Sequence, residues 1–74
     1  DIKLERESDR DTGVTFHALA TLAQNQGRLD EAEGLYVEAR RLFENASDTR
    51  GVAASIHQLG NIAQQSGKFD EAEA

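Results

Sequence analysis

Seventy-four residues without a cysteine exclude a disulfide framework and a thiolate metal site, and leave too little chain for an enzyme that encloses its own large pocket. Fourteen acidic against eight basic residues give a formal charge of −6. That balance disfavours nucleic acid, whose binding needs a basic face, and disfavours an anionic membrane.

No apolar run approaches the roughly 18 residues of a spanning helix, and no secretory segment opens the sequence. With cysteine absent as well, a reducing cytoplasmic setting is expected. Six glycines and no proline point to helices punctuated by turns.

A shift of 40 residues lays His17–Glu33 on His57–Glu73 with nine of seventeen positions identical, and Arg10 on Arg50. In that register Ile2-Lys3-Leu4-Glu5 falls on Leu42-Phe43-Glu44-Asn45, so residues 1–8 read as the tail of a preceding second helix. The first full helix is expected from about Thr12 to Gln26. There Phe16, Leu19, Ala20 and Ala23 recur at i, i+3, i+4 and i+7 as one apolar stripe, and Gly27 can end it in the left-handed conformation.

The second helix is expected at Asp30, whose carboxylate can cap orphan amides while Glu33 reaches back. Ala32, Leu35, Tyr36, Ala39, Leu42 and Phe43 form its buried stripe, ending near Asn45-Ala46. A third helix, about Val52 to Ser66, repeats the first through Ile56, Leu59, Gly60 and Ala63, with Gly67 as its stop. Asp70 and Glu73 then open another helix in the manner of Asp30 and Glu33. Short connectors make successive helices antiparallel, and small residues at Ala20, Ala32, Gly60 and Ala72 would allow close axes. Three segments result: 1–8, a repeat over 9–46, and a second repeat over 47–74 that stops within its second helix.

The pattern Phe16-x2-Leu19-Ala20-x2-Ala23, Gly27, Ala32-x3-Tyr36-x2-Ala39 resembles the tetratricopeptide repeat, and Ile56-x2-Leu59-Gly60-x2-Ala63, Gly67, Ala72 resembles a second copy. Phe16 and Ile56 stand where that family has Trp, Ala23 and Ala63 where it has Tyr, and Glu44 where it has Pro. The period of 40 exceeds the family's usual length of about 34 and is similar to the long-period subclass of kinesin light chains and bacterial repeat proteins. The resemblance implies an all-α fold of antiparallel helix-turn-helix repeats stacked as a right-handed α-solenoid, acting as a non-catalytic protein–protein interaction module without a cofactor.

No charged residue occurs from Val14 to Gln26 or from Val52 to Ser66. Opposite the apolar stripe, Val14, His17, Thr21, Gln24 and Asn25 share one helical face, and Ala54, His57, Asn61, Gln64 and Gln65 share its equivalent. Uncharged amides, hydroxyls and imidazoles suit hydrogen bonding to a peptide backbone, because no charge loses its hydration. In the family this face lines a concave groove for peptides. The resemblance therefore makes His17, Thr21, Gln24, His57, Asn61 and Gln64 the expected ligand contacts, Asn61 foremost, with a protein or peptide as partner. A clamp for a terminal carboxylate is disfavoured, since no Lys or Arg joins the histidines.

His17 and His57 stand one repeat apart without a carboxylate on their face, so no metal site is expected. The carboxylates at 30, 31 and 33 and at 70, 71 and 73 are explained by capping and the helix dipole. Ser55 and Ser66 have no base-orienting partner, so no catalytic residue is expected. A copy placed head to tail would continue the register, which makes Leu4 and Phe69 candidates for self-association; a purely structural, self-associating segment is the alternative to the binding module.

Overall fold

The computed structural model describes residues 2–67, with side chains from Ser8 onward. It holds three helices, α1 (Ile2–Asn25), α2 (Leu29–Asn45) and α3 (Thr49–Ser66), and no strand among the described residues. The expected start of the first helix near Thr12 is not a boundary: α1 runs unbroken from Ile2. Glu5-Arg6-Glu7 are good helix formers, whereas their equivalents, Asn45-Ala46-Ser47, contain residues that favour turns and close a helix.

Both connectors are built the same way. At the end of α1, Gly27 has φ +80°; its N–H bonds Gln24 O at 3.0 Å and the N–H of Arg28 bonds Ala23 O at 2.9 Å. At the end of α2, Ser47 takes φ +58°; its N–H bonds Glu44 O at 3.0 Å, and the N–H of Asp48 bonds Phe43 O at 2.9 Å. These paired bonds form a Schellman closure that satisfies orphan carbonyls. Gly67, at φ +82°, ends α3 as expected.

The start of α2 departs from expectation. The N-cap is Arg28, whose side chain makes no capping bond, and Asp30 lies inside the first turn with Glu31. The Schellman bond to Ala23 sets Arg28 directly at the new helix, and the Ala32 N–H already bonds Arg28 O at 2.9 Å. Asp30 and Glu31 thus stand at the positive end of the helix dipole. The equivalent devices at Asp70 and Glu73, like Ala72, lie outside the described residues. Asp48 is the side-chain cap of the molecule's second turn: Oδ1 accepts from the Gly51 N–H at 3.2 Å, starting α3 three residues earlier than the apolar pattern suggested.

α2 packs on both α1 and α3, which scarcely touch each other. Moving forward along α1 from Gly13 to Thr21, the partner on α2 moves back from Phe43 to Tyr36, so the two are antiparallel. The core is small: Ala20, Ala23, Ala32, Tyr36 and Ile62, with Leu29, Leu35 and Leu59 packed against it. The expected α2 stripe is buried at Ala32, Tyr36, Ala39, Leu42 and Phe43, with Leu35 half-buried.

The stripes of α1 and α3 differ from expectation in an ordered way. Ala20 and Ala23 are buried and Phe16 half-buried, but their equivalents Gly60 and Ile56 are exposed and Ala63 is half-buried. Conversely, Ser55 and Ile62 are buried while Thr15 and Leu22 are exposed. α1 meets α2 with one face, and α3 meets the other side of α2 with a different face. Gly60 therefore makes no close approach among the described residues, and a Cβ there would stand in open space. Its expected neighbour Ala72 is outside them.

Candidate functional site

Between α1 and α3 lies an open groove of about 350 Å³. Val14, His17 and Ala18 form one wall, Arg50, Gly51 and Ala54 the other, with Phe43 and Asp48 closing its end. Phe43 is placed there by close contact with two glycines. A Cβ on Gly13 would come within 3.0 Å of the ring, and one on Gly51 would overlap it. Asp48 is held by the N–H of Gly51 and by Arg10, whose Nε is 3.4 Å from Oδ2. One carboxylate thereby joins α1 to the α2–α3 junction.

Farther along α1, a chain of hydrogen bonds crosses all three helices. Thr21 Oγ1 donates to the Tyr36 hydroxyl at 2.8 Å, with His17 O, 3.0 Å away, as the alternative acceptor for its single proton. The Tyr36 hydroxyl donates to Gln24 Oε1 at 3.0 Å, and Gln24 Nε2 donates to Gln65 Oε1 at 3.1 Å. Tyr36 is fully buried, and a buried phenol needs such partners. The His17 ring meets Tyr36 edge-on, 5.1 Å between centroids and 73° between planes. Its Nε2 is buried without a hydrogen-bond partner among the described residues.

The six residues expected to touch a ligand therefore divide. His17 lines the groove, half-buried. Thr21 and Gln24 are brought together around Tyr36, and their polar atoms are engaged in tying α1 to α2 and α3. His57 and Gln64 are exposed on α3, and half-buried Asn61 donates to Gln58 Oε1 at 3.4 Å within the same helix. These three continue the α3 face beyond Ala54 and do not line the groove itself. Leu4 lies before the described side chains and Phe69 beyond the described residues.

Sequence reasoning missed Ala18, Phe43, Asp48, Arg50 and Gly51 as groove-lining residues. Arg50 was visible as the repeat mate of Arg10, but only the turn at Ser47 brings it to the groove. Ser55 is fully buried on the helix side that carries Gly51 and Ile62, so it serves packing. Elsewhere on α2, the Arg41 guanidinium bonds the exposed Glu38 carboxylate. That bond holds Glu38 below the ordinary carboxylate range.

Among the described residues no group of three or more His, Asp or Glu comes together to hold a metal ion. No described helix is long and apolar enough to cross a membrane. Residues 11–74 match the family described as tetratricopeptide repeat. No curated protein and no solved structure gives a match.

Proposed function

The chain belongs to the tetratricopeptide-repeat family, whose repeats generally mediate protein–protein interaction, and we propose that it is a non-catalytic module holding a partner's peptide segment against the face shared by α1 and α3. The carrying observation is the groove between Val14 and Ala54, which has Arg50 and Asp48 in its lining and continues along α3 onto the uncharged side chains of His57, Asn61 and Gln64. Apolar side chains of the ligand would enter beside Val14, Ala18 and the Phe43 edge, and its backbone would bond His57, Asn61 and Gln64. Thr21 and Gln24 act at one remove, fixing the spacing of α1 and α3 through Tyr36. The 40-residue period supports reading the chain as one of the long-period members, and right-handed stacking of its repeats is part of the same proposal.

The test is selection of binding peptides from a displayed random library, followed by titration of the best binder. Replacing His57 and Asn61 together with Ala should weaken it about tenfold or more, the loss of two net hydrogen bonds, with unchanged helicity. Undiminished binding by the double variant would remove the groove assignment.

A further inference from the structure

Two charged side chains line the groove, Asp48 and Arg50. Asp48 is engaged within the fold, Oδ1 accepting from the Gly51 N–H and Oδ2 lying 3.4 Å from Arg10 Nε. Arg50 is exposed and enters no ion pair among the described residues. Asp11, beside Arg10 in sequence, is exposed as well and lies outside the lining.

Local structure does not account for a cation at this position. Arg50 stands in the first turn of α3, at the positive end of the helix dipole, where a guanidinium is disfavoured. The first turn of α2 holds Asp30 and Glu31 instead, and that of α3 holds no acid. A residue that breaks a local rule without a partner in the fold is where function is to be sought. The chain as a whole, at −6, repels anions, yet here a positive group stands beside an apolar wall of Val14, Ala18 and Phe43.

We propose that Arg50 sets the specificity of the groove by taking the carboxylate of an internal Asp or Glu in the partner's peptide, next to an apolar residue seated against Phe43. This rests on the peptide groove described above and names what fills it. The carboxylate is a side chain and not the peptide's terminus. Arg50 is exposed at the rim, whereas the closed end of the groove is made by buried Phe43 and half-buried Asp48, whose own carboxylate opposes a second one. A guanidinium offers a carboxylate two parallel N–H donors, and a pair that stays wet is screened by salt.

Selection from a random peptide library displayed with its C-terminus fused, run in parallel on the unaltered chain, Arg50→Gln and Arg50→Glu, tests this. Peptides taken by the unaltered chain should share an Asp or Glu at a fixed spacing from an apolar residue. Arg50→Gln should lose that preference, and Arg50→Glu should select Lys or Arg in its place. Replacing the acid of the best peptide by its amide should weaken binding to the unaltered chain about fivefold, the upper range for an exposed ion pair. The same replacement should leave binding to Arg50→Gln unchanged, and the difference should shrink in high salt. Both variants should keep their helicity, since their first turn suits the dipole better than Arg50 does. Peptides without a shared acidic position, or an acidic preference indifferent to Arg50, would overturn the proposal alone if the His57 and Asn61 double variant still weakens binding. Undiminished binding by that double variant would overturn the groove reading and this proposal with it.

Discussion

The backbone of Gly51 lies directly against the ring of Phe43, with no room for a Cβ between them. Gly51 is in the first turn of α3 and Phe43 near the end of α2, so this approach sets how closely the third helix follows the second. The same ring touches Gly13 on α1. Phe43 is therefore the point where all three helices converge, and it forms one end of the proposed peptide groove.

Two glycines within helices should respond oppositely to alanine. Gly51→Ala gains helix propensity but must displace the Phe43 ring or the helix, and overpacking of this kind costs about 1–3 kcal/mol. Gly34→Ala meets nothing within 4 Å and should stabilise by about 0.5–1 kcal/mol. Urea unfolding followed by helicity reads both.

Ser47 should be improved by glycine. Its φ of +58° is left-handed, a conformation that costs a residue with a Cβ about 1–2 kcal/mol. Ser47→Gly keeps both Schellman bonds and should raise stability by about 1 kcal/mol. Gly27→Ala, at φ +80°, should lower it by a similar amount. Thermal unfolding of the pair checks the sign of each.

Asp48 carries two functions that substitution can separate. Asp48→Asn retains an acceptor for the Gly51 N–H and loses the ion pair with Arg10, whose side chain is largely exposed. Such a pair contributes about 0–1 kcal/mol. Asp48→Ala also loses the cap and should cost about 1 kcal/mol more. If both variants fall equally in urea, the ion pair rather than the cap anchors α3.

Tyr36→Phe removes the hydroxyl linking Thr21 to Gln24 while keeping the packing against His17. It should cost about 1–2 kcal/mol. By loosening Gln24 from Gln65 it should also weaken a selected peptide without altering any residue proposed to touch it. A variant with full stability and full affinity would show that the network neither holds the helices nor positions the face.

Much of this was legible in one sequence. The 40-residue register, the helices, the glycine stops and the buried α2 stripe follow from periodicity and from the few residues that tolerate left-handed backbone. These are local properties, written in residues three, four and seven apart. The charge-free face from Val14 to Gln26 was equally plain, because helical spacing alone puts His17, Thr21 and Gln24 on one side.

Only the tertiary structure decided which face of each helix is covered. Ala20 and Gly60, or Leu22 and Ile62, are equivalent in sequence, yet α2 lies on a different side of α1 than of α3. Burial belongs to the neighbour that happens to be present, so identical patterns acquire opposite environments. The same cause sets Thr21 and Gln24, which the sequence offers as ligand contacts, in hydrogen bonds with the Tyr36 hydroxyl. A hydroxyl and an amide on a polar face look alike in sequence whether they meet a ligand or a buried phenol from the next helix. What distinguishes them is the 2.8 Å approach of Tyr36 to Thr21, a distance that no spacing along a single helix contains.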